Sequence, residues 1–151
     1  MINVRTATQD DVHAICSLGV VTPEFSVSDT TVAFWPQNII ENIVSSNAAI
    51  VLVAEDEGSI CGFIIANCNA SFQKVIIENI CVRPEIRGSG VGGALLRQLL
   101  QQVSDAGFDY ITTLVSTDSA AKFYTQAGFT PGGQFQWYDK VLTENFKKSA
   151  R

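Results

Sequence analysis

From Val82 to Leu95 the chain reads Val-Arg-Pro-Glu-Ile-Arg-Gly-Ser-Gly-Val-Gly-Gly-Ala-Leu, with four glycines among the six residues Gly88–Gly93. Glycine lets successive backbone N–H groups converge on one point without a Cβ in the way. A helix start adds unsatisfied N–H donors and a partial positive charge, so an anion can sit there. The fitting ligand group is a phosphate or pyrophosphate. A tight turn serving packing alone is the alternative, and it needs fewer glycines than this. A second chemistry-bearing residue is Glu78, a lone carboxylate in Ile76-Ile77-Glu78-Asn79-Ile80. Burial would raise its pKa and make it a usable base, directly or through water. A solvent-facing edge position would leave it without a task.

Other chemistries are disfavoured by spacing. Gly88-x-Gly90-x-x-Gly93 satisfies the letters of a dinucleotide fingerprint. That fingerprint closes its strand directly and usually opens the domain, whereas here Pro84 and four other residues separate Val82 from Gly88. No Gly-Lys-Ser/Thr follows, so a P-loop is excluded. Cys16, Cys61, Cys68 and Cys81 lack C-x-x-C spacing and lie in apolar segments, which reads as reduced core thiols in a reducing compartment. With His13 the single histidine, a His-rich metal site is excluded and no metal is expected. A Cys–His nucleophile pair would have to recruit that residue from a surface-helix pattern.

The elements that must position these groups follow from periodicity. Ile2–Arg5 is a short strand, and Thr8-Gln9-Asp10-Asp11 is an Asp-type capping box before Val12, Ile15, Cys16 and Gly19 at helical spacing. Residues 20–35 are irregular. Pro36 fits the first turn of a helix that carries Ile39, Ile40, Ile43 and Val44 on one face. Ala49–Glu55, Ile60–Cys68 and Lys74–Val82 are strands, the first two joined by the turn Asp56–Ser59. The glycine segment leads into a helix striped by Val91, Leu95, Leu99 and Val103. Tyr110–Val115 is a strand, and Asp118–Ala127 a helix ended by Gly128. Phe129–Pro131 and Phe135–Leu142 complete the order as two strands around Gly132-Gly133. The predicted fold is α/β: a mixed sheet of about seven strands flanked by about four helices, in a single domain over 1–151.

With 46% apolar and 17% charged residues the chain can build a core and is not disordered. A net charge of −5 disfavours nucleic acid and suits an amine ligand better. The one basic cluster, Lys147-Lys148 with Arg151, reads as a solvated end. No apolar run approaches the roughly 20 residues of a membrane span, and Met1–Arg5 is no signal-peptide start. A soluble cytoplasmic protein is expected, without nucleic-acid or membrane partners.

Arg87-x-x-Gly90-x-Gly92 resembles the Arg/Gln-x-x-Gly-x-Gly/Ala coenzyme A signature of the GNAT acetyltransferases, and Val82-Arg83-Pro84-Glu85 resembles the lead-in to it. Asp118-Ser119-Ala120-Ala121-Lys122-Phe123-Tyr124 with Gly128-Phe129 resembles that family's Asn-x-x-Ala-x-x-Phe-Tyr…Gly-Phe segment. Val4-Arg5-x-Ala7-x-x-x-Asp11 resembles its opening strand and helix. Asp118 departs from the usual Asn: it keeps a capping acceptor but loses an amide donor, which puts a polar contact to the cofactor there in question.

The resemblance implies acetyl transfer from acetyl-coenzyme A to a primary amine, the acceptor being a small molecule. The alternatives are a protein or peptide amine, or a coenzyme A-binding module without catalysis. Backbone groups of Ile80 and Val82, flanking Cys81, would pair with the pantetheine arm. Backbone N–H groups of Arg87, Gly88, Ser89, Gly90, Val91 and Gly92 would hold the pyrophosphate, with the Arg87 side chain within reach of a phosphate. Tyr124 matches the family's thiolate-protonating tyrosine, and Glu78 the position of a catalytic Glu in some members. The acceptor pocket would draw on residues 20–38 and the C-terminal strand pair. Its candidate walls are Phe25, Phe34, Trp35, Phe135, Trp137 and Tyr138, with Glu24, Asp29 or Glu41 to attract a cation. The resemblance is also compatible with a homodimer through the C-terminal strands.

Overall fold

Five strands form one sheet in the computed structural model, which describes residues 1–26 and 28–148. They are β1 (Ile2–Thr6), β2 (Ala49–Asp56), β3 (Ser59–Asn69), β4 (Lys74–Val82) and β5 (Tyr110–Thr113), in spatial order β1-β2-β3-β4-β5. The first three pairs are antiparallel and β4–β5 is parallel. The β2–β3 hairpin turns on Glu57 and Gly58, with φ of 48° and 78°. Both central residues lie in the left-handed region, as the tightest hairpin loop demands.

Because β2 and β3 are apolar on both faces, each face needs a cover. Helices α1 (Val12–Val20) and α2 (Gln37–Ser45) cover one, burying Val51, Val53, Phe63 and Ile65 with Ile15, Phe34 and Ile40. Helices α3 (Val91–Asp105) and α4 (Asp118–Gln126) cover the other, over Leu52, Ile64, Val75 and Ile77. The α3 stripe Val91, Leu95, Leu99, Val103 is buried as its spacing predicts, and Leu96 joins it. At the start of α1, Asp11 accepts the Thr8 N–H at 2.8 Å and a bidentate pair from Arg5 at 2.8 and 2.9 Å. The Arg5 guanidinium holds this carboxyl below the usual carboxylate range. The expected capping box is present, and Arg5 anchors it to β1.

Two departures from regularity shape the sheet. In the β3–β4 ladder Ile65 faces Asn79 and Ala66 faces Ile77, so Glu78 is the extra residue of a β-bulge. The β4–β5 pairing spans only Lys74–Ile77 against Tyr110–Thr113 and stops one residue before that bulge. Beyond it the far half of β4 keeps β3 on one side and, among the described residues, has no strand on the other.

Among the described residues the strand count is therefore five rather than about seven. Neither Phe129–Pro131 nor Phe135–Leu142 joins a ladder. Phe129 is used by the end of α4: Gly128 takes φ of 91°, and the Phe129 N–H donates to the Tyr124 carbonyl at 3.0 Å. Residues 130–140 are exposed throughout, so alternating side chains there find no face to bury. The expected solvated end is tied down at Lys147 and Lys148. Val32 N–H donates to the Phe146 carbonyl at 3.1 Å and Lys148 N–H to the Thr30 carbonyl at 2.9 Å. Arg151 lies outside the described residues.

Candidate active site

The site is built around the parting of β4 and β5. Period-two alternation fixes which backbone groups are free along β4. Arg83 N–H donates to the Cys61 carbonyl of β3 at 2.9 Å, so the Cys81 peptide groups also face β3, and those of Ile80 and Val82 face the open edge. The Arg87 Nε–H donates to the Val82 carbonyl at 3.0 Å, from that open side. The Cys81 side chain points the other way, buried against the Thr22 hydroxyl at 3.1 Å, and burial pushes its thiol up. Of this trio, Cys81 contributes structure at the side-chain level.

At the end of the open edge stand the glycines. The first backbone bond of α3 runs from Ala94 N–H to the Gly90 carbonyl at 3.0 Å, so the N–H groups of residues 91–93 lack intrahelical partners. Gly88 and Gly90 hold φ of 81° and 92°, the left-handed region that side-chain-bearing residues rarely adopt. This turn sets the start of α3 beside the end of β4, where a Cβ at Gly92 would stand 3.7 Å from the Val82 side chain. The arrangement fits a diphosphate carried on an extended amide-containing arm: anion donors at one end, unpaired peptide groups along the other. Arg87 is committed elsewhere, to Val82 and, at 3.3 Å, to Glu24.

Tyr124 enters from α4 and is buried, its ring edge-on to Phe123 and Phe129 at 5.1 and 5.2 Å. Burial pushes its phenol above the ordinary tyrosine range, partly offset by the nearby Thr113 hydroxyl. Thr113 in turn donates its hydroxyl to the Ile77 carbonyl at 3.1 Å, at the last residue pair before β4 and β5 part. A protonated phenol is thus held at the apex of the opening.

Glu78 reaches the opposite face. Strict alternation would put it with Ile80 and Val82, which pack on the α3 side; the bulge resets the count. Glu78 lines a cavity of about 320 Å³ under α2, with Trp35, Asn42, Ile43, Ser46, Ile65, Ala66 and Asn67. Its side chain is exposed through the mouth of that cavity, yet the protein around it displaces enough water to push the carboxyl above the usual range, offset in part by Asn67. Trp35 is fixed at the rim: its indole N–H donates to the Asn79 side chain at 2.7 Å, and Phe146 meets its ring edge-on at 5.8 Å.

The remaining expected site residues divide. Asp118 is the first residue of α4 and exposed; the cap is Thr117, whose hydroxyl accepts the Ala120 N–H at 3.1 Å. The extended backbone of Thr117 suits an N-cap, so Asp118 falls inside the first turn, where its charge favours the helix dipole. Of the aromatic pocket candidates only Trp35 lines the cavity. Phe25 and Phe34 stack at 5.5 Å over Phe63 in the core, and Phe135, Trp137 and Tyr138 lie on the exposed C-terminal segment. Glu24 is paired with Arg87, and Glu41 accepts from Gln37 at 2.9 Å. Thr113, Asn79, Asn67 and Asn42 carry no local sequence signal; their places follow only from strand pairing and the bulge.

The Acetyltransferase (GNAT) domain model matches residues 47–131, more than half of the chain, including the bulged strand, the glycine turn and Tyr124. The chain belongs to the GNAT acetyltransferase family. This GNAT chain is 35% identical over 71 residues to an L-2,4-diaminobutyric acid acetyltransferase of Nocardia farcinica. That match spans 46% of the chain and 37% of the relative. The fold aligns with an aminoglycoside acetyltransferase from an uncultured soil metagenomic sample, solved with trehalose, at TM-score 0.77, 16% identity and 94% and 97% coverage of the two chains. It also aligns with the ribosomal-protein-S18-alanine N-acetyltransferase of Escherichia coli, at TM-score 0.70, 19% identity and 88% and 80% coverage. Among the described residues of this GNAT domain no helix is long and apolar enough to cross a membrane, and no group of three or more potential ligands clusters to hold a metal.

Proposed function

We propose that this protein transfers an acetyl group from acetyl-coenzyme A directly to the primary amine of a small molecule. The observation that carries this reading is the placement of two proton-handling groups on opposite faces of one opening. Tyr124 is held on the α4 side and Glu78 in the cavity on the α2 side. Acetyl-coenzyme A is a substrate here. The unbonded N–H groups of residues 91–93 hold its diphosphate, and the Ile80 and Val82 peptide groups pair with its arm. Arg87 shifts from Val82 and Glu24 toward a phosphate.

Glu78 takes a proton from the acceptor ammonium, directly or through water, and frees the nitrogen lone pair. The C–N bond forms at the thioester carbonyl carbon, the C–S bond breaks, the departing thiolate takes the Tyr124 proton, and the nitrogen loses its second proton to solvent. A phenol of ordinary pKa near 10 matches the basicity of a thiolate, and burial keeps it protonated throughout the neutral range. Solvent then reprotonates Tyr124 and removes the proton from Glu78. The net change is ammonium plus acetyl-coenzyme A to amide, free thiol and one proton.

Acetyl-coenzyme A is expected to raise the melting temperature in a concentration-dependent way, because a ligand bound only by the native state stabilises it by mass action. NAD leaves it unchanged. The reverse pattern, a shift with NAD alone, would overturn the assignment.

Glu78→Gln separates the base from its scaffold. The raised carboxyl pKa sets an acid limb of the pH–rate profile above the ordinary carboxylate range. The variant loses that limb and turns over more slowly across the plateau. For stability the sign is opposite. A carboxyl whose pKa is higher folded than unfolded costs stability once pH rises through the folded value, so the neutral amide melts no lower than wild type at neutral pH. A retained acid limb in Glu78→Gln assigns the base elsewhere.

Four free thiols, two of them buried, suit a reducing compartment and support a cytoplasmic enzyme. Phe135, Trp137, Tyr138 and Leu142, all exposed, favour a homodimer through the C-terminal segment.

A further inference from the structure

The cavity under α2 restricts what the acceptor can be. Glu78 is the one charged side chain among the residues lining it. The other polar groups, Asn42, Ser46 and Asn67, are neutral, and the floor of Ile43, Ile65 and Ala66 is apolar. Trp35 offers only carbon surface, because its single N–H is already given to Asn79. A second ammonium on the acceptor would therefore find no counter-charge, and a carboxylate would find no cation while facing Glu78. Size points the same way. About 320 Å³ lies at the low end of the roughly 300–1,000 Å³ range for small-molecule pockets.

Resting on the acetyl-transfer reading, we infer that the acceptor is a small primary monoamine with an apolar or aromatic body and no second charge. Its ammonium meets Glu78 at the bulge. Its body lies against Trp35, whose indole face suits both apolar contact and a nearby cation, and on the Ile65–Ala66 floor. Trp35 acts as a specificity residue, fixed on one side by the bulged strand through Asn79 and on the other by the tail through Phe146.

The test compares kcat/KM, by release of coenzyme A thiol, for the full chain with five acceptors. They are phenethylamine, 1,5-diaminopentane, 2,4-diaminobutyrate, kanamycin and an alanine-starting hexapeptide. Phenethylamine is expected to lead the other four by roughly tenfold or more. In Asn42→Asp, which adds a carboxylate at the cavity mouth, the ratio of diamine to monoamine kcat/KM is expected to rise about two- to fivefold, the reach of one exposed ion pair. Trp35→Leu is expected to raise KM for phenethylamine more than it lowers kcat.

The diamine, kanamycin, the peptide or the amino acid matching or exceeding phenethylamine overturns the inference and leaves acetyl transfer intact. A melting temperature raised by acetyl-coenzyme A with none of the five amines acetylated overturns the inference as well, while preserving the cofactor site. No acetylation and no shift with acetyl-coenzyme A overturns the transfer reading itself.

Discussion

Tyr124→Phe is expected to lower turnover by roughly 10²-fold or more, the range for loss of a general acid, while affinity for acetyl-coenzyme A moves little. The substitution keeps the ring and its edge contacts to Phe123 and Phe129, so it removes only a hydroxyl beside Thr113. A single hydroxyl contributes at most about 1 kcal/mol to stability, so the variant stays folded. Its defect belongs to kcat, because the phenol matters when the C–S bond breaks. The double variant Tyr124→Phe/Glu78→Gln should fall far short of the product of the single effects, since both groups serve one step. Normal turnover in Tyr124→Phe removes the acid role and leaves solvent or unassisted thiolate departure in its place.

Gly90→Val is expected to weaken acetyl-coenzyme A binding by roughly 10- to 100-fold with a smaller loss of folding stability. Nothing stands within 4 Å of a Cβ built at Gly90, so the defect is conformational rather than a clash. A φ of 92° is an outlier for a β-branched residue and costs on the order of 1–3 kcal/mol. The turn relieves that strain by rotating, which swings the N–H groups of residues 91–93 off their common target. Each hydrogen bond to a charged group contributes about 1.5–3 kcal/mol, so losing one gives a factor of about ten or more. Beyond Val91, the hydrophobic stripe of α3 lies further along the helix and is untouched. Calorimetric titration checks the affinity and thermal melting the fold; a folded variant with unchanged affinity places the anion site elsewhere.

What the sequence made legible was whatever depends on local pattern. The α3 stripe, the Gly90 turn and the Gly128 stop each rest on a few adjacent residues, and each is where the spacing put it. The bulge at Glu78 is different. It exists only as a mismatch between β3 and β4, so alternation along β4 alone cannot fix the face that Glu78 takes. The C-terminal strands failed for a related reason. Phe135–Leu142 has aromatic residues suited to a strand, yet no partner edge receives it, and strand propensity without a neighbour specifies nothing. The aromatic candidates of residues 20–38 split on the same ground: Phe25 and Phe34 fill the core around Phe63, and only Trp35, tied to Asn79, reaches the cavity. Thr117 displaced Asp118 as the cap because two adjacent residues could both cap and only backbone angles distinguish them.

The central claim is that this opening between β4 and β5 moves an acetyl group onto nitrogen. Its most direct test is quantitative: the purified chain is incubated with acetyl-coenzyme A and phenethylamine, and free thiol and N-acetyl product are counted together, the latter by mass spectrometry. One mole of amide per mole of thiol, abolished by omitting either substrate and slowed about 10²-fold by Tyr124→Phe, is the predicted result. Thiol released without amide, at a rate indifferent to any amine and to Tyr124, would contradict the account.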